Sequence, residues 1–267
     1  MIDIQNQKDT RRVSLKMVGI KNIALPLLIP TKSGKSQNTT GFISFFTDLS
    51  HHSRGTHMSR FVEILYRNCH NYLTFQQLKH IASEAKKELK AENVYLEISF
   101  IYLLKKRSPV SKKYSFVDYQ CNLLSKVNSL DYEQRLMIKI PVSLLCPCSK
   151  AISKFNAHNQ RAIVTVNVDF LREFWIEDLI KLVEKEGSCE IYSLLKRADE
   201  KYVTEKLYEN PKFVEDIVRD VALKLKKIDG IKSFTVECES YESIHNHNAY
   251  AKLISNSTTK ESENVDS

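Results

Sequence analysis

The stretch Val94-Tyr95-Leu96-Glu97-Ile98-Ser99-Phe100-Ile101-Tyr102-Leu103-Leu104 decides the fold. Val94, Leu96, Ile98, Phe100, Tyr102 and Leu104 recur with a period of two, so they share one face of an extended chain. Tyr114 to Leu124 follows as a pairing strand, across a basic turn that contains Pro109. On the N-terminal side lies a helical block. Ser59 caps a short helix through Tyr66. Thr74 opens a second helix, with Gln77 three residues on in a capping-box pattern. Phe75, Leu78, Ile81, Ala82, Ala85 and Leu89 then fall on one helical face. Before the helices, Gly19 to Ile29 and Thr40 to Leu49 are apolar and β-rich, separated by a polar loop from Thr31 to Asn38. The order is strand-strand-helix-helix-strand-strand.

The same order recurs downstream. Leu136, Ile138, Ile140 and Val142 alternate, as do Ala162, Val164, Val166 and Val168. Ile176, Leu179, Ile180 and Val183 form a helical stripe. A further helix is expected to start at Asn210-Pro211, an N-cap followed by proline at the first helical position, with Val214, Ile217, Val218, Val221 and Leu225 as its stripe. Strands return at Ile231 to Glu239 and at about Asn248 to Ile254. The expected fold class is α+β: two ββααββ modules, 18–130 and 131–254, with antiparallel sheets and helices on one face. Residues 1–17 are expected to form a flexible segment and 255–267 a disordered tail.

At 267 residues the chain is long enough for one large domain or two small ones. Hydrophobic residues are 42% and charged residues 27%, which excludes wholesale disorder. No apolar run reaches the roughly 18 residues of a membrane span, and Met1 to Arg12 lacks the apolar core of a signal peptide. A cytoplasmic protein with no membrane partner is expected. The six cysteines are too sparse for a disulfide framework, which leaves free thiols or metal ligands. The net charge of +8 favours an anionic partner, although many of the lysines lie on solvated helix faces.

Four segments carry candidate chemistry. Cys146-Pro147-Cys148, with His158 twelve residues after Cys146, offers thiolate and imidazole donors between two strands. Two small thiols beside an incidental histidine is the plainer reading. Glu242-Ser243-Ile244-His245-Asn246-His247 puts both imidazoles on one face if extended, where they can bind a metal or act as acid and base. Leu194 to Glu200, Thr204-Glu205 and Phe213 to Asp216 have the alternating charges of exposed, ion-paired helices. Glu215 differs in lying in a first helical turn, where the dipole favours a carboxylate. Arg54-Gly55-Thr56-His57-Met58-Ser59-Arg60, at a strand-to-helix junction, suits an anion such as phosphate; a basic loop with a helix cap is the plainer reading.

Five motifs occur in a fixed order: Gly55-Thr56-His57-Met58-Ser59-Arg60-Phe61, Cys146-Pro147-Cys148-Ser149-Lys150, Ala157-His158-Asn159-Gln160-Arg161, Leu195-Lys196-Arg197-Ala198-Asp199-Glu200 and Pro211-Lys212-Phe213-Val214-Glu215-Asp216. Together they resemble the type IB GTP cyclohydrolases, the prokaryotic family that makes dihydroneopterin triphosphate. The resemblance runs from about Gly19 to His247. It departs at Ser50-His51-His52-Ser53 and at Arg54, which stands where the family carries lysine.

The resemblance implies a tunnelling fold and a homotetramer with active sites between subunits. It implies metal-dependent hydrolysis of GTP, with activated water attacking guanine C8, to 7,8-dihydroneopterin triphosphate and formate. One divalent metal ion per site (Zn, Mn or Fe) is implied. Cys146 and His158 are its ligands, joined by Glu200 or by Glu242, His245 and His247. Cys148 is left as a supporting or structural thiol. Cys146, His158, Glu242 and His245 are the implied catalytic residues. Glu215 is the implied anchor for guanine, and His57, Ser59, Arg60, Arg161, Lys196 and Arg197 the implied triphosphate contacts. Two alternatives compete: another tunnelling-fold enzyme acting on a pterin or deazapurine, and a basic RNA-binding protein. The second is disfavoured, because no predicted sheet carries clustered Lys/Arg interleaved with aromatics.

Overall fold

The computed structural model describes residues 5, 7–69, 75–128, 131–172 and 174–255. The expected Thr74 cap and the tail beyond residue 255 lie outside them. The chain divides into two compact units: 1–105 with 116–138 and 175–177, and 106–115 with 139–174 and 178–267.

In the first unit β1 (Leu15–Pro30) and β2 (Ser36–Leu49) form an antiparallel hairpin. Its turn closes through Gly34, whose φ of 77° is a left-handed conformation that glycine adopts without steric cost. β2 pairs with β3 (Val94–Arg107), setting Phe45 opposite Leu96. β4 (Tyr114–Val127) and the start of β5 (Tyr132–Leu145) complete the strands. The alternation read from Val94 holds, since Val94, Leu96, Ile98, Phe100 and Tyr102 are all buried. Two helices follow β2: α1 (Met58–Cys69) and α2 (Phe75–Glu88). Ser59 lies inside α1 rather than capping it. Phe61 of α1 meets Phe45 of β2 edge to face, with ring centroids 5.1 Å apart, a favoured aromatic geometry. The N-terminal segment is tied to the loop before α1 by main-chain bonds: Arg54 N to Gln7 O at 3.0 Å and Gly55 N to Gln5 O at 3.2 Å.

The second unit has the strand order β5-β6-β8-β9, with β7 (Cys189–Glu190) paired to β5. β6 (Asn159–Phe170) pairs with β8 (Ile231–Ser240), and β8 with β9 (Ala249–Ser255), all antiparallel. Val164 faces Cys238 and Val166 faces Val236, so the apolar alternation of the two strands coincides. Four helices intervene: α3 (Pro147–Ile152), α4 (Ile176–Glu186), α5 (Arg197–Glu209) and α6 (Val214–Leu225). The stripe of α6 is buried as its sequence predicts, from Val214 through Leu225. Its start is not. Asn210 ends α5 as the C-cap, and α6 is capped at Phe213. Two forces move the boundary. Pro211 disfavours helix in the residue before it, and the Asn210 side chain donates to the Gly187 carbonyl at 3.0 Å.

The inward face of β3 continues past Leu104 to a buried lysine. Lys106 Nζ lies 2.7 Å from Glu184 and 3.0 Å from Glu190, and 4.7 Å from the centre of the Tyr192 ring. Burial pushes the Glu190 carboxyl up, but the Lys106 charge and hydrogen bond more than offset this and hold it below its ordinary range.

Candidate functional site

β5 ends at Leu145, and Cys146 takes the N-cap of α3 in an extended conformation. Its Sγ accepts from Ser149 N at 3.4 Å. Pro147 starts the helix at a position where no amide hydrogen is needed. The Cys146 amide donates to the His158 carbonyl at 3.2 Å. The twelve-residue spacing is therefore one short helix and a return, which brings sulfur and imidazole to the adjoining ends of β5 and β6.

His158 Nδ1 is 2.9 Å from Gln160 Oε1, and Gln160 Nε2 donates to Glu242 Oε1 at 3.2 Å. Ser240 Oγ donates to the same Glu242 oxygen at 2.8 Å, while Glu242 Oε2 stands 3.9 Å from His158 Nδ1. His245 and His247 lie in the link between β8 and β9. That link is bent, not extended as its sequence suggests. The bend still stacks the two rings, with centroids 5.0 Å apart and planes 17° from parallel. Glu215 occupies the first turn of α6, where Asp216 caps by accepting from Phe213 N at 3.0 Å.

One cavity of about 310 Å³ collects these groups: Cys146, His158, Gln160, Glu215, Glu242, His245 and His247 line it, with Leu144, Phe213 and Tyr250 among its walls. Such a volume suits a small-molecule ligand. Other expected residues stand elsewhere. Glu200, Arg161, Lys196 and Arg197 are exposed in the second unit and do not line the cavity. His57, Ser59 and Arg60 belong to the first unit at the start of α1, where Arg60 N donates to His57 O at 3.1 Å. Cys148 is exposed. Cys121, Cys189 and Cys238 are buried thiols whose burial pushes their pKa up, that of Cys238 to about 12, and none of them lines the cavity. Among the described residues no three His, Cys, Asp or Glu side chains stand close enough to form a ready metal set.

Two working residues carry no signal of their roles in the sequence pattern. One is Gln160. The other is Asp199, fully buried at the start of α5. Its carboxylate accepts from Val110 N at 2.7 Å, Ser111 N at 2.8 Å, Ser111 Oγ at 2.5 Å and Lys196 N at 2.9 Å. It thus pins the β3–β4 turn to the segment carrying Lys196 and Arg197. Burial raises its pKa, but these hydrogen bonds outweigh burial and hold it well below the usual range. A depressed folded pKa gives stability that is complete above the unfolded value of about 3.9 and is lost as pH falls through the folded pKa. Asp199→Asn should therefore lower the melting temperature by on the order of 5 °C near neutral pH. The gap from wild type should hold steady down to about pH 5 and narrow below about pH 4. Melting curves across that range check it; a gap that widens in acid contradicts the assignment.

The fold is the tunnelling fold, an α+β arrangement of antiparallel strands and helices that the chain shares with uricase. The uricase of Arthrobacter globiformis superposes with a TM-score of 0.55 at 8% identity, covering 94% of this chain and 96% of that one. The family profile described as Type I GTP cyclohydrolase folE2 matches residues 1–251. The GTP cyclohydrolase FolE2 of Thermosipho africanus is 48% identical over 98% of this chain and the whole of its own length. That of Nitrosococcus oceani is 46% identical over 94% of each. The chain belongs to the type I GTP cyclohydrolase FolE2 family.

Proposed function

We infer that this protein hydrolyses GTP to 7,8-dihydroneopterin triphosphate and formate, an early step of pterin and folate biosynthesis, and that it is a type IB GTP cyclohydrolase. One observation carries the reading: a single cavity gathers Cys146, His158, Glu242, His245, His247 and Glu215 in a chain that the FolE2 profile matches over residues 1–251.

The donors fit a divalent cation by their chemistry. A thiolate sulfur suits zinc, and imidazole with carboxylate suits manganese or iron(II) as well. Cys146, His158, Glu242, His245 and His247 would hold it; Glu200, outside the cavity, is the weaker candidate. When bound, the cation supplies a charge that makes water acidic enough to act as a nucleophile near neutral pH. Glu215 binds and orients the base. Its carboxylate can accept from guanine N1–H and the exocyclic amine together, and the α6 dipole favours its negative charge. Whichever of His245 and His247 does not hold the cation can give and take the protons that ring opening requires at guanine N7 and N9. His57, Ser59, Arg60, Arg161, Lys196 and Arg197 are proposed to bind the triphosphate, a local use for the +8 charge.

Architecture is part of the same proposal. The element orders β1-β2-α1-α2-β3-β4 and β5-α3-β6-α4-β7-α5-α6-β8-β9 support two ββααββ modules, the second enlarged by α3, β7 and one further helix. The working form is proposed as a homotetramer with sites between subunits, in the cytoplasm. No described helix is long and apolar enough to cross a membrane.

Purified protein supplied with Mn²⁺ or Zn²⁺ should release formate from GTP and yield a pterin that fluoresces after oxidation. A metal-loaded, folded preparation that makes neither would overturn the reading. Glu215→Gln keeps the size but loses the charged acceptor. It should lower kcat/KM for GTP by roughly 100-fold with an unchanged melting curve. Unaltered GTP kinetics would remove Glu215 from its role.

A further inference from the structure

We propose that Gln160 is a positioning residue that decides which nitrogen of His158 is free to bind a cation. As a carboxylate, Glu242 can only accept hydrogen bonds. Its Oε1 takes one from Ser240 Oγ and one from Gln160. The Gln160 group facing it must therefore be the NH₂. That fixes the amide, which otherwise has two orientations of nearly equal shape. With the NH₂ on Glu242, the carbonyl oxygen faces His158 Nδ1 at 2.9 Å. An amide oxygen cannot donate, so Nδ1 carries the hydrogen. The second acceptor on that side, Glu242 Oε2 at 3.9 Å, favours the same assignment. In the neutral ring the lone pair is then left on Nε2.

A relay results: Ser240 and Glu242 orient the Gln160 amide, the amide orients the imidazole, and the imidazole presents Nε2. Ligating histidines elsewhere obtain this service from a carboxylate or a backbone carbonyl. Here the group in direct contact with the ring is a neutral amide, and the carboxylate stands further out, with Glu242 Oε2 3.9 Å from Nδ1. The proposal deepens the metal-site reading above and rests on His158 being a ligand.

The test uses the metal-free full chain with ¹⁵N-labelled histidine, in long-range ¹H–¹⁵N spectra at mildly alkaline pH. The His158 signals are identified by their loss in His158→Gln. Wild type should show a protonated Nδ1 and a bare Nε2. Gln160→Leu should lose that signature. Its Zn²⁺ affinity, read by competition with a chelator, should fall roughly 10- to 100-fold. Gln160→Glu restores an acceptor and should restore the Nδ1–H signature. A wild-type spectrum with the proton on Nε2 would overturn the proposal. So would a folded Gln160→Leu protein with the wild-type spectrum and affinity, or, should that variant not fold, a Gln160→Glu protein lacking the signature. The two readings fail separately. An inactive wild type whose His158 tautomer depends on Gln160 sinks only the proposed reaction. An active wild type indifferent to Gln160→Leu sinks only the relay.

Discussion

Cys146→Ala protein should fold, melt close to the wild-type temperature and turn over no measurable GTP. The side chain is half-buried, and its sulfur accepts a long hydrogen bond, from Ser149 N at 3.4 Å, so little stability is at stake. The chemistry is another matter. Polarisation by a cation contributes several kcal/mol to a transition state, and about 1.4 kcal/mol is a factor of ten. Loss of the sulfur donor should cost about a thousandfold or more in kcat, together with Zn²⁺ affinity. Formate release from GTP measures the first and chelator competition the second. Near-normal turnover would strip Cys146 of its ligand role and, with it, the metal reading of the cavity.

Lys106→Met should be the most damaging single change to the second unit. The methionine fills most of the volume but removes the ammonium lying between Glu184 and Glu190. Lys106 and Glu184 are 7% and 2% exposed, so water cannot take over the role. Removing one partner of a buried ion pair costs about 3–5 kcal/mol. Adding Glu184→Gln should return part of that loss, because the second change removes one of the two carboxylates that faced the lost ammonium. Denaturant unfolding of the single and double variants measures both. A double variant as unstable as the sum of its parts would mean that the pair is not coupled.

The strands were legible because their buried faces are built from unmixed apolar residues. Ile138, Ile140 and Val142 in β5 and Val164, Val166 and Val168 in β6 are all buried at the expected period. Lys106 shows the limit: it continues the inward face of β3, and alternation of apolar residues carries no sign of a buried cation. The second unit's helix boundary failed for a related reason. Asn210-Pro211 has the chemistry of a helix start, yet the side chain bonds Gly187, a partner 23 residues away in sequence. In the cavity, the residue types and motifs pointed to Cys146, His158, Glu242 and Glu215. Spacing alone did not foresee that β5, β6, α6 and the β8–β9 link converge. Gln160 and Asp199 stand inside recognisable motifs, but their roles depend on hydrogen bonds to Glu242 and to the β3–β4 turn, which no local pattern encodes.

Lys212 N donates to the Leu145 carbonyl at 3.1 Å. This one main-chain link joins the residue just ahead of Cys146 to the segment that leads, three positions later, into Glu215. It works as a ruler. Any drift of the start of α6 drags the end of β5 with it, so the segments that carry Cys146 and Glu215 move together. With Glu215 as the proposed anchor of the base, the far end of the substrate is thereby measured off against Cys146.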